Sequence, residues 1–160
     1  MTINYKNGKI YKIEPICDHD EGDVYIGSTT KEYLSQRMTA HRSGYNCFKR
    51  GTRKHKLMSY DLFEKYGVSN CDIILLELVE ANSKDELHKR EAHYIRTMKC
   101  VNRFIPLRTE REYKQEHKEE ISQKNKIKFT CECGSTLRRC DRAAHYKTFK
   151  HQFFCPPTPK

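Results

Sequence analysis

The stretch "GKIYKIEPICDHDEGDVYIGST", residues 8–29, reads as a β-hairpin. Residues 8–17 are rich in strand formers and partly alternate, "DHDEGD" (18–23) is a turn signal, and "VYIGST" (24–29) is a second strand. Alternation along the strands puts Val24 and Ile26 on one side of the sheet and Tyr25 and Gly27 on the other, while Tyr11 and Ile13 share a face of the first strand. The hairpin therefore sets two tyrosines beside a glycine that admits close approach.

The elements that follow are marked by spacing. Thr29 and Glu32 stand at capping-box spacing and predict a helix over 30–44 with Leu34, Arg37, Met38, His41 and Tyr45 inward. A basic loop, "NCFKRGTRKH" (46–55), is expected next, then a helix over 56–67 that stops at Gly67. "CDIILLELVE" (71–80) is apolar on both faces, which predicts a fully buried strand. Ser83 and Glu86 form another capping pair and open a helix over 83–98, and "CVNRF" (100–104) reads as a short extended segment. The order β-β-α-α-β-α describes a small α/β (α+β) domain over residues 1–105, with Pro106 at its boundary. Thr109 and Glu112 repeat the capping spacing at the head of a polar connector helix over 106–128. Residues 129–155 form a small module, and 156–160 a disordered tail.

Three polar side chains fall on helix faces that ought to be apolar. Arg37 and His41 are four apart and point the same way. Glu91 lies inside the stripe formed by Leu87, Tyr94, Ile95 and Met98, where a lone carboxylate must be neutralised, hydrogen-bonded or bound to a cation. Two readings meet this pattern. One is a site in which Tyr11, Tyr25, Arg37, His41 and Glu91 converge over Gly27. The other is two core tyrosines, an Arg37–Glu91 ion pair and a half-buried histidine.

The chain carries 31 Lys/Arg against 21 Asp/Glu, a net charge of +10. Residues 1–102 hold 17 and 14 of these, and residues 103–160 hold 14 and 7, so most of the excess lies in the C-terminal third. "KRGTRKHK" (49–56) adds a local patch of Lys49, Arg50, Arg53, Lys54 and Lys56 around His55. Such patches favour a polyanion, DNA first among them, although a solvated loop has the same composition. The longest apolar run is too short to span a membrane, and the start "MTINYKNGKIYK" has no apolar signal region. An intracellular protein is expected, and the eight cysteines then read as free thiols or metal ligands rather than disulfides.

In "CECGSTLRRCDRAAHYKTFKH" (131–151), Cys131 and Cys133 are followed after eleven residues by His145 and after five more by His151. The histidine pair has zinc-finger spacing, while Cys-x-Cys is tighter than the usual pair. Two thiolates and two imidazoles would close a tetrahedral structural zinc site. Cys140 or Cys155 could stand in for His151 as fourth ligand. Asp141 is placed to cap a helix carrying both histidines, and the surrounding arginines and lysines favour nucleic acid, with a protein partner as the other reading. The module resembles the short Cys-x-Cys…His…His fingers near the C-termini of proteins of large DNA viruses, which implies a viral origin.

The first domain is similar to the GIY-YIG nuclease family. "KIY" (9–11) and "YIG" (25–27) look like its paired motifs, followed in the family's order by Arg37 and His41 as R-x-x-x-H, by Glu91 on a later helix, and by Asn102. Lys9 replaces the first glycine, and thirteen residues separate Tyr11 from Tyr25, somewhat more than usual. The resemblance covers residues 8–104. It implies a mainly antiparallel three-stranded sheet flanked by helices, and hydrolysis of DNA phosphodiesters with one divalent ion, Mg²⁺ or Mn²⁺, on Glu91. It further implies that Arg37 grips the phosphate, that Tyr11 is the general base with its pKa lowered by Arg37 and the metal, and that His41 relays the proton or is itself the base. Tyr25 would orient water or phosphate, and Asn102 would brace the site. Gly27 and the basic loop, Lys49, Arg50, Arg53, Lys54, His55 and Lys56, would meet the substrate. The competing expectations are a catalytically silent nucleic-acid-binding protein and a recombination or repair scaffold. A monomer would nick one strand per encounter, so cutting both would take a transient dimer or two events.

Overall fold

The computed structural model describes residues 3–154 and divides into two units, Met1–Leu107 and Arg108–Lys160. The break follows Leu107, whose φ of +58° turns the chain out of the first unit; Pro106 itself is buried within it.

The first unit is built on a three-stranded antiparallel sheet of β1 (Gly8–Pro15), β2 (Tyr25–Thr29) and β3 (Cys71–Val79), in the order β2-β1-β3. The hairpin pairs Tyr11 with Gly27 and Ile13 with Tyr25, so these four face one side together, as alternation predicts. On that side pack α1 (Leu34–Lys49) and α2 (Ser59–Tyr66), closing a core of Tyr11, Ile13, Met38, Tyr60, Leu62, Phe63 and Cys71. On the other side α3 (Lys84–Thr97) lays Leu87 and Ile95 against Ile10, Val24 and Ile26.

Several expectations are corrected. The strand at 71–80 is not fully buried: it lies at the sheet edge, and Ile74, Leu75 and Leu78 are exposed, Leu78 to 65%. The central strand is β1, which takes partners on both sides. The Thr29–Glu32 capping box does not form, because Thr29 is still in the ladder opposite Lys9 and its hydroxyl accepts the Lys31 N–H at 3.1 Å. The helix begins later, at Leu34, and runs past Gly44 to Lys49. Gly44 does not stop it; a Cβ there would lie 2.5 Å from the Tyr60 hydroxyl, so the missing side chain lets α1 and α2 approach. The next helix is shorter than 56–67, because Lys56 and Leu57 remain in the loop. Ser83 caps α3 by accepting the Glu86 N–H at 3.2 Å, but the Glu86 carboxylate turns to Asn82 instead of closing the box.

Residues 100–104 form no strand, yet they finish the free edge of β2. Val101 N–H donates to the Val24 carbonyl at 2.8 Å. The Asn102 amide accepts from Ile26 N–H and donates to the Ile26 carbonyl, both at 2.8 Å. One side chain thus imitates a neighbouring strand. Asn102→Ala leaves both backbone groups without that partner and is expected to cost about 2 kcal/mol, read as a lower denaturant midpoint at unchanged m-value.

The second unit begins with α4 (Glu110–Glu116), whose Thr109–Glu112 capping box is complete, and continues as α5 (Lys118–Lys126). The single connector helix expected from sequence is broken at His117, whose ring stacks on Tyr113 at 4.3 Å while Nδ1 lies 3.0 Å from the Tyr113 carbonyl. A small hairpin of β4 (Lys128–Thr130) and β5 (Thr136–Arg138) follows, then α6 (Arg142–His145) and α7 (Phe149–Phe154). Among the described residues of this unit only Cys131 is buried, so the unit has almost no apolar core.

Candidate functional site

The expected residues gather at the free edge of β2, where the two faces of the sheet meet. From one face α1 sends Arg37 and His41 to the Tyr11 hydroxyl. Arg37 Nε donates to it at 2.8 Å, and His41 Nε2 lies 2.8 Å away on the other side. His41 is buried, and its Nδ1 is 3.0 Å from the hydroxyl of Ser59, the first residue of α2. Burial, then Arg37 and Arg53, push the His41 pKa down to about 3. The imidazole is therefore neutral at pH 7, with one donor and one acceptor nitrogen. Since Arg37 already donates to Tyr11, the consistent arrangement is Tyr11 O–H to Nε2 and Nδ1–H to Ser59. Tyr25 completes the cluster with its ring 5.5 Å from His41 and 6.5 Å from Tyr11.

A histidine held neutral in the native state binds its proton more readily when unfolded. The sign follows directly: His41 favours the fold above the ordinary value near 6.5, and that contribution is lost as pH falls toward 3. Roughly 3 kcal/mol should be gone at pH 4. Glu91, whose pKa burial raises, acts in the opposite direction and returns part of it. Thermal melts of the protein between pH 7 and 4 should show the net loss, and His41→Asn should flatten it.

From the other face α3 brings Glu91 round the strand. Ser28 donates to Glu91 Oε2 at 2.5 Å. The two sides share one cleft of about 490 Å³ lined by Tyr25, Ser28, Arg37, His88, Glu91, Phe104, Pro106 and Leu107. Glu91 is its one acid. Burial raises its pKa against the opposing pull of Ser28, His88 and Arg37. The Arg37–Glu91 ion pair of the plain core reading is not formed; Arg37 is engaged by Tyr11, and among the described residues Glu91 has no ion pair and no donor on Oε1. Burial draws Arg37 down, but Tyr11, Tyr25 and Glu91 outweigh it and keep the guanidinium charged.

Not every expected residue lines the cleft. Tyr11 is fully buried behind Tyr25 and Arg37, and without a metal burial raises its pKa further than Arg37 lowers it, so Arg37 does not by itself supply the lowering expected from Arg37 and a metal together. Burial, then Tyr11 and Glu91, also push Tyr25 up. The space above Gly27 is taken by Tyr11 itself: a Cβ there would lie 2.6 Å from the phenol oxygen. Asn102 braces β2 and does not line the cavity. Ser28, Ser59 and His88 escaped the sequence reading. Only His88 left a signal, standing three residues before Glu91 on the same helix face.

In the basic loop, Lys56 pairs with Asp61 at 2.6 Å and Glu64 at 2.7 Å, and Lys49 lies 3.9 Å from Glu64. Arg50 bonds the Asn46 carbonyl. Arg53, Lys54 and His55 have no ion pair among the described residues. Arg53 instead passes close to Gly44, with Nη1 2.7 Å from where a Cβ would stand.

The second unit brings together four side chains that could hold a metal ion. The ligand atoms of Cys131, Cys133, His145 and His151 all lie within 4.8 Å of one another. A tetrahedral zinc ion with its usual bond lengths separates such atoms by about 3.3–3.8 Å; Cys131 Sγ to His151 Nδ1 is 3.3 Å and Cys133 Sγ to His145 Nε2 is 3.2 Å. The residues fit zinc. Hydrogen bonds from Ser135 and then His151 hold the Cys133 thiol at about 6, so it is ready as a thiolate at neutral pH. Cys140 lies apart from the four, against the Asn125 carbonyl and Asp141, and Cys155 falls outside the described residues. Asp141 does not cap the α6 helix; its carboxylate pairs with Arg138 at 2.8 Å, and the two histidines sit on separate helices.

No family model, curated protein or solved structure matches the chain. Among the described residues no helix is long and apolar enough to cross a membrane.

Proposed function

We propose that the first unit is a metal-dependent DNA endonuclease of the GIY-YIG type and that the metal-binding second unit helps hold the nucleic acid. The observation that carries this reading is the cleft in which one unpaired, burial-shifted carboxylate, Glu91, faces the same space as a charged arginine, Arg37, and one tyrosine, Tyr25. A carboxylate so placed, with one oxygen unengaged and open room for water, suits Mg²⁺, which keeps most of its waters. Glu91 would be the protein's ligand. A bound divalent ion polarises the phosphoryl group and steadies the leaving oxygen.

The chain's own residues supply the rest. Arg37 holds a phosphate oxygen and offsets charge that grows in the transition state. Tyr25, on the cleft wall, orients the attacking water. As that water loses a proton to the Tyr25 oxygen, the Tyr25 hydroxyl proton passes to Tyr11 and the Tyr11 hydroxyl proton to His41 Nε2, and Ser59 keeps the imidazole turned to receive it. The resulting imidazolium sits beside Arg37, so the relay relies on the negative phosphate to balance both cations. Ser28 keeps Glu91 turned into the cleft.

Supercoiled plasmid incubated with the zinc-loaded protein tests the reading. Open circles should accumulate with added Mg²⁺ and not without it. Retarded plasmid with no nicks across several divalent metals would support the silent binding protein instead.

A further inference from the structure

The second unit carries a surface that its metal site does not use. On α7, Phe149 is 81% exposed, Phe153 68% and Phe154 64%. Phe149 and Phe153, one turn apart, stack at 5.8 Å with their planes 26° apart, and Phe154 abuts Phe153 edge-on at 5.3 Å. Three bare phenylalanines on a six-residue helix are an uncommon exposure for a charged chain. His151, between the stacked pair, turns to the thiolates. Residues two positions away on a helix lie about 200° round the axis, so Phe149 and Phe153 face away from the metal group.

The charge around them is one-sided. Lys147 and Lys150 flank Phe149 in sequence, and their ammonium groups have no ion pair or hydrogen bond among the described residues. Arg142 stands at the preceding helix over the Tyr146 ring, 5.3 Å from its centroid. The nearest acid, Asp141, is already paired with Arg138.

We propose that this face binds unpaired nucleotides, with Phe149 and Phe153 stacking on bases and Lys147 and Lys150 on the flanking phosphates. Flat rings that project from a basic surface suit a strand whose bases are free to stack, and the helices of that surface, Arg142–His145 and Phe149–Phe154, are only four and six residues long. An apolar protein partner would leave the lysines unmatched. The proposal rests on the reading of the chain as a DNA-binding protein and narrows it: the preferred substrate holds a single-stranded segment, as a gap, flap or branch does.

The test is fluorescence anisotropy of the full, zinc-loaded chain without added magnesium. A labelled oligothymidine is compared with a hairpin duplex of similar length across a salt series. Wild type should bind the single strand more tightly. Phe149→Ala with Phe153→Ala should weaken single-strand binding by about 10-fold or more, leave duplex binding within about 2-fold, and leave the salt slope unchanged. Lys147→Ala with Lys150→Ala should weaken both and flatten the slope by about two charges. Phe149→Leu with Phe153→Leu keeps the apolar bulk and removes the rings, so it should behave like the alanine pair. The visible spectrum of the cobalt-substituted protein checks that the metal group is intact in each variant.

Equal single-strand affinity in the alanine pair overturns the proposal, as does full binding by the leucine pair. So does concentration-dependent self-association that the alanine pair abolishes, since a second copy would then be the occupant. If wild type binds as described yet never nicks plasmid, the nuclease reading fails and this one stands.

Discussion

On the proposed nuclease reading, Glu91→Ala should abolish magnesium-dependent nicking of supercoiled plasmid, with a fall of roughly a thousand-fold or more, while the protein should still fold and bind DNA. Glu91 is the one acid that lines the cleft, so its loss would leave a divalent ion there without a protein carboxylate ligand. Stability should not fall with it. The carboxylate is half-buried, has no ion pair among the described residues, and its pKa is raised chiefly by burial. Removing a charge that burial disfavours offsets the loss of the Ser28 hydrogen bond. Glu91→Gln keeps the shape and a carbonyl oxygen for Ser28 and should be just as inactive, which separates charge from packing. Nicking assays on plasmid, with melts of each variant, check both halves. Wild-type rates in the two variants would remove the metal from Glu91 and the endonuclease with it.

The second large effect is loss of the metal from the Cys131–Cys133–His145–His151 group. Structural zinc contributes about 10–16 kcal/mol in zinc-finger peptides, and only one described residue of the second unit is buried without it. A strong chelator, or Cys133→Ser, should therefore unfold the hairpin and the two short helices while the first unit keeps its melting temperature. Limited proteolysis shows this directly: cleavage should appear within 127–154 and spare 8–105. Acid should act like the chelator. Without metal the Cys133 pKa is lowered to about 6, so the free group is a thiolate above that value and is protonated as pH falls through it. Bound zinc competes with that proton, so zinc release measured with a colorimetric indicator should set in at a pH below the metal-free value of Cys133.

Much of the site was legible because it depends on local spacing. Arg37 and His41 meet the Tyr11 hydroxyl since four residues make one helical turn and strand alternation turns Tyr11 and Tyr25 to the same face. Cys131, Cys133, His145 and His151 come together because the Cys-x-Cys pair sits at the tip of a hairpin and the histidines on the helices after it. What escaped depends on contacts between distant segments. "IILLELV" is apolar on both faces, and periodicity alone does not distinguish a central strand from an edge strand with an uncovered side. β1 holds the centre although it carries two lysines and a glutamate, because Lys9 Nζ reaches the Asn7 and Lys31 carbonyls and so is satisfied while buried. Thr29 had the spacing of a helix cap but was already committed to the ladder. Ser28 and Ser59 matter only through partners 63 and 18 residues away.

The phenol of Tyr11 fills the volume that any larger residue at position 27 would claim. The two positions therefore behave as a single heritable unit. In a library randomised at both, survivors at 27 with a side chain should carry a smaller partner at 11. Such survivors should have exchanged the Arg37–tyrosine–His41 relay for a packed core, so that recovered folding and recovered chemistry part company at this one pair.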